Sequence, residues 1–166
     1  VTMNIIYHCF GGAHSSVTAA AIHLGWLSSS QIPSFEELMN IPYFDVQIGA
    51  DHGTFRFMGK DEQENNVYII GRRNLRNDFE IIVHSLANIY DKEEEFLLIN
   101  TMPLVNWKMV IGGYLSRGLE TPKFGRSIVV KGVQDSFLKY VALVNTIKNI
   151  YPNYNLSEKK FGSVLG

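Results

Sequence analysis

Near the start of the chain a histidine, a cysteine, paired glycines, a second histidine and two serines fall close together: His8, Cys9, Gly11, Gly12, Ala13, His14, Ser15 and Ser16. An apolar run, Asn4-Ile5-Ile6-Tyr7, leads into them, and a small-residue helical pattern over residues 17–27 follows at once. That order reads as a strand, a tight loop and a helix N-terminus. The first N–H groups of a helix have no carbonyl partners of their own, and the helix dipole adds partial positive charge there. Such a junction binds anions, phosphate above all. The expected cradle is the backbone amides of residues 11–16, with His14 as the main side-chain contact and the Ser15 and Ser16 hydroxyls as further donors.

Two registers give this loop different chemistry. In the nucleotide-binding pattern G-x-x-x-x-G-K-[ST], the matching positions are His8, Ala13, His14 and Ser15. The length and the final hydroxyl agree, but both glycines and the lysine are missing. Magnesium nucleotide hydrolysis also needs an acid at the end of a second strand, and the apolar run 96–99 leads into Asn100 instead. An ordinary ATPase or GTPase is not expected.

In the cysteine-phosphatase pattern H-C-x-x-G-x-x-R-[ST], His8, Cys9, Gly12 and Ser16 are in register. The spacing sets Cys9 under a ring of N–H groups as a thiolate nucleophile tuned by His8 or His14. Ser15 holds the arginine position, and serine cannot replace a guanidinium that grips two phosphate oxygens. Arg72, Arg73, Arg76 and Arg126 are the other arginines considered; Arg72 and Arg73 follow a strand and precede a helix, so they can close over a ligand. Asp51 beside His52 forms a candidate acid–base or ligand pair. Each residue also has a plainer reading. Cys9 reads as a small buried hydrophobe, His8 as facing solvent or a carbonyl, and Ser15 or Ser16 as the helix cap. His23 and His84 fall inside helical patterns and read as structural.

The elements that must position these groups follow from periodicity. Residues 5–9, 54–58, 67–70, 96–99 and 127–130 read as strands, with a hairpin joining the second and third. A short helix after Pro33 carries Ser34 as cap and Glu37 as the return arm of a capping box. Further helices are expected from Asn77 or Asp78, with Phe79, Val83, Leu86 and Tyr90 on one face, and over residues 106–119. The last long helix is striped by Phe137, Tyr140, Val141, Val144, Ile147 and Tyr151. Strands alternating with helices predict a single three-layer α/β domain over residues 1–151, Rossmann-like or P-loop-like, with a mostly parallel sheet and an inserted β-hairpin. A polar C-terminal tail follows over residues 152–166. Ligands of such sheets sit beyond the carboxyl ends of strands, here the loop after Cys9, Asn100-Thr101 and residues 131–136.

Composition narrows the classes. The chain has 166 residues, 46% apolar and 19% charged, which suits one compact domain. A net charge of −1 argues against general nucleic-acid binding. One cysteine excludes an internal disulfide and a multi-cysteine metal site, and no metal is expected. No run reads as a leader or a membrane span, so a cytoplasmic location is expected.

The opening His8-Cys9, Gly11-Gly12-Ala13-His14-Ser15-Ser16 and the alanine-rich helix resemble a family of small bacterial proteins of unknown function, found mainly in spore-forming Firmicutes. The resemblance implies a cytoplasmic bacterial protein and carries over no reaction, cofactor or catalytic residue. The leading expectation is therefore a protein that binds a phosphate-containing small molecule or nucleotide. A thiol enzyme using Cys9 and a protein-interaction module with a purely structural loop are the alternatives.

Overall fold

The computed structural model describes residues 2–46, 48–118 and 122–150. Ile5 and Tyr7 point to one face of strand β1 (Asn4–Cys9), Ile6 and His8 to the other, and all four are buried. A strand with both faces apolar belongs inside a sheet covered on two sides. β1 is indeed central. It pairs in parallel with β3 (Asn66–Gly71) and with β4 (Phe96–Asn100), while β2 (Arg56–Lys60) pairs antiparallel with β3, giving the order β2-β3-β1-β4. The expected hairpin is β2–β3, and its second strand is itself a member of the parallel set.

Helix α1 (Ser15–His23) is buried along its whole length, and Ala19, Ala20 and Ala21 let it lie close on the sheet. The face it covers carries Ile5, Tyr7, Val67, Ile69, Leu97 and Ile99. The short α2 (Phe35–Met39) has the expected capping box: Glu37 N–H donates to Ser34 Oγ, and Ser34 N–H donates to Glu37. Helix α3 (Arg76–Ile89) covers the opposite face, where Phe79 meets Ile6, Ile70 and Leu98. Helices α4 (Trp107–Gly113) and α5 (Pro122–Ile150) return to the α1 side. The architecture is α/β, with an open, mostly parallel four-stranded sheet between helical layers.

Four expectations need correction. Residues 127–130 are not a strand but part of α5. Val129, Val133, Phe137, Tyr140, Val144 and Ile147 are buried at steps of three and four, so the helical stripe starts earlier than its aromatic part suggests. Residues 131–136 consequently lie in mid-helix rather than at a strand end, and neither Asp135 nor Ser136 caps anything. The helix expected over 106–119 is a short α-helix capped by Asn106, whose side chain accepts from Met109 N–H, continued by a π-helical stretch Tyr114–Gly118. Leu119, Tyr151 and the tail 152–166 lie outside the described residues. On α3 only Phe79 and Ala87 are buried, whereas Leu86 and Tyr90 are 52% and 71% exposed.

Two buried histidines set a pH dependence. His23 Nδ1 lies 2.7 Å from Tyr7 Oη and its Nε2 lies 3.1 Å from Asp61 Oδ2, forming a chain through the interior. Burial holds His23 below the ordinary histidine value despite Asp61, and burial does the same to His8 despite Glu80. Unfolded, both groups take up protons near pH ~6.5. Below that pH the unfolded chain therefore binds more protons than the native one, and stability falls as pH falls. Thermal melts at pH 7.5, 6.5 and 5.5 are expected to give a stepwise lower Tm; a flat profile would contradict neutral burial of the two rings.

Candidate functional site

The β1–α1 junction is built by close approach of backbone. Gly12 takes φ +67°, a left-handed conformation suited to glycine. At the end of β3, a Cβ on Gly71 would lie 2.6 Å from the Gly11 carbonyl oxygen, so the absence of a side chain lets the loop cross there. The N–H groups of Arg72 and Arg73 donate to the Cys9 and Phe10 carbonyls and fasten the loop to the segment after β3. Sequence reading missed Gly71, although a glycine ending a buried strand is a signal of close approach.

His14, not Ser15 or Ser16, is the N-cap of α1, and its side chain makes no capping bond. The two serines begin the helix with their hydroxyls directed inward. Ser15 Oγ lies 2.9 Å from Thr101 Oγ1, which in turn lies 3.0 Å from the His8 carbonyl. Ser16 Oγ lies 3.3 Å from Cys9 Sγ, and that sulfur also accepts from Gly12 N–H at 3.0 Å. Cys9 thus closes the turn, with its thiol buried. Among the described residues no backbone carbonyl takes the N–H groups of Gly11, Ala13, His14, Ser15 or Ser16.

His14 Nε2 lies 2.9 Å from Asp45 Oδ1, and its ring is set edge-on to Phe44 and beside Gly113. Asp45 is buried and also accepts from Ser116 Oγ at 2.7 Å and from Arg126 Nε at 2.9 Å. Burial pushes the Asp45 carboxyl up, but hydrogen bonds from His14, Ser116 and Arg126 outweigh it and hold the group well below the usual carboxylate range. A buried carboxylate so arranged fixes the His14 ring and draws Arg126 to the edge of the loop. Asp45, Ser116 and Arg126 come from three separate segments, and of these the sequence reading singles out only Arg126, as a distant arginine.

The remaining candidates lie elsewhere around the junction. His8 is fully buried on the α3 face, not facing solvent. Its Nδ1 accepts from Arg72 Nε at 3.1 Å, which places the ring proton on Nε2. That nitrogen is 3.0 Å from Glu80 Oε1, and the carboxylate favours the protonated ring against the burial that disfavours it. Arg72 therefore holds His8 on the sheet face opposite Cys9 and α1. Arg73 is exposed, with its guanidinium near Gly49. Asp51 pairs with Arg56 at 2.6 Å and accepts from Ile48 N–H, while His52 Nδ1 is 2.8 Å from the Gly49 carbonyl. Among the described residues no group of three His, Cys, Asp or Glu side chains is placed to hold a metal ion, and no helix is long and apolar enough to cross a membrane.

Fold and junction together define an open-sheet α/β protein with a glycine-bearing loop leading from its central strand into a buried helix. The family model described as protein of unknown function DUF3189 matches residues 4–149, and the chain belongs to that family. No curated protein and no solved structure matches it.

Proposed function

We propose that the protein binds a phosphate-bearing small molecule or nucleotide at the β1–α1 junction, as a degenerate relative of nucleotide-binding loops. The observation that carries this reading is the set of N–H groups from residues 11 and 13–16 without carbonyl partners among the described residues. They gather at the N-terminus of a nine-residue helix, where the dipole favours negative charge. His14 and Arg126, joined through Asp45, supply the polar rim. Ser15 and Ser16 contribute through their amides, because their hydroxyls are engaged inside the protein.

Isothermal titration of the full chain with inorganic phosphate and with adenine and guanine nucleotides tests the reading. Wild type is expected to bind at least one of them with Kd below ~1 mM, about −4 kcal/mol. Gly71→Ala, whose Cβ would displace Gly11, is expected to weaken that binding about tenfold, or ~1.4 kcal/mol. Absence of heat with every ligand at millimolar concentration overturns the reading.

A second reading is favoured by the sulfur's own contacts. Gly12 N–H and Ser16 Oγ both address Cys9 Sγ, an arrangement that would hold the sulfur in place as a nucleophile toward a phosphate monoester. It predicts turnover of p-nitrophenyl phosphate that disappears in Cys9→Ser. Retained binding with no turnover in wild type supports the binder over the enzyme.

A further inference from the structure

Helix α3 carries an apolar stripe that the fold does not cover. Ile82, Leu86 and Ile89 follow one another at steps of four and three, so they share one side of it. Their exposures are 46%, 52% and 72%. The helix turns Phe79 and Ala87 toward the sheet, and the stripe runs along the flank beside them. Three large aliphatic side chains in a row on an exposed helix flank mark an interaction site.

Charge is distributed unevenly along the same element. At its N-terminal end stand Arg73 and Arg76 against Asp78, all exposed. At its C-terminal end stand Asp91, Glu93, Glu94 and Glu95 against Lys92, which already pairs with Glu95. One end is net positive and the other net negative.

We propose that this flank of α3 is a homodimer interface in which two copies of the chain pair α3 antiparallel about a two-fold axis. The occupant is a second copy because the surface is complementary to itself. Antiparallel pairing sets Ile82 of one chain against Leu86 of the other, with Ile89 flanking them, and each basic end meets a partner's acidic end. An isologous contact of this kind closes on itself and stops at two copies. The stripe supplies the apolar centre of the interface, while the terminal charges form the rim and fix direction over the parallel alternative.

Light scattering coupled to size-exclusion chromatography of the full chain tests the proposal. Wild type is expected at twice the 18.8 kDa chain mass at micromolar concentration. Leu86→Glu and, separately, Ile89→Glu are expected to run at the single-chain mass with unchanged far-ultraviolet circular dichroism, since both positions are exposed. Arg76→Glu is expected to weaken the dimer, and the charge exchange Arg76→Glu/Glu94→Arg to restore it. A wild-type monomer at all concentrations overturns the proposal, as does a dimer that survives both single glutamate variants. If one variant misfolds, the other and the wild-type mass still decide. None of these outcomes depends on ligand binding at the β1–α1 loop.

Discussion

Asp45→Asn is expected to lower the stability of the protein by about 3 kcal/mol, the scale for removing one charge from a buried, hydrogen-bonded set. The carboxylate accepts from His14, Ser116 and Arg126 among the described residues, and an amide cannot serve them all. Its NH2 must face His14, Ser116 or Arg126, each of which donates toward that position. Arg126 is 39% exposed on its side chain, so solvent softens its share of the loss. The greater part falls on His14 and Ser116. Asparagine is the cleaner replacement because Asp45 sits at φ +52°, where Asn is tolerated and alanine would add strain. For a chain of this size the change corresponds to a Tm lower by roughly 6–12 °C. A variant melting within about 1 °C of wild type would show that the network does not hold the junction.

Gly125→Ala is expected to cost at least as much, upward of ~3 kcal/mol, or to prevent folding. Its Cβ would overlap the Ser116 backbone nitrogen and lie 2.7 Å from the Gly112 carbonyl oxygen. Gly112 and Gly132 are equally tight: their added carbons would meet Val129 N at 2.6 Å and Met109 Cγ at 2.7 Å. These three glycines let α5 cross α4 and the π-helical stretch at backbone contact. Because Ser116 is also a partner of Asp45, the damage should reach His14. Gly113→Ala is the internal control, since its carbon would sit 3.4 Å from His14 Cε1 and meets no backbone. Chemical denaturation of the two variants checks the contrast; equal stabilities would refute close helix crossing as the role of Gly125.

Much of the scaffold was legible in the sequence because it rests on local chemistry. Ser34 and Glu37 specify a capping box through bonds three residues apart, and no distant partner is needed. The apolar run ending at Cys9, then Gly11-Gly12, marks a strand and a turn because few other backbones tolerate that sequence. The misreadings share one cause. Ile128-Val129-Val130 has the residue types of a strand, and only the packing of Val129 on Gly112 makes it helix. His14 was legible as a loop histidine, yet Asp45, Ser116 and Arg126 lie 31 to 112 residues away from it. Their approach leaves no periodic trace. Ser15 and Ser16 likewise look like capping residues in the chain, and their hydroxyls turn inward because Thr101 and Cys9 are there to receive them.

By itself, the sequence determined the strand–loop–helix junction, the alternation that makes an α/β sheet and the short capped helix. These depend on backbone preference and side-chain period, which act over a few residues. Tertiary structure alone decided that the last helix begins before Val129, that a carboxylate from residue 45 governs His14, that the Arg72 guanidinium serves His8, and that a flank of α3 stays bare. Each of those outcomes depends on which surfaces meet across the fold, and a one-dimensional pattern does not encode distance in space.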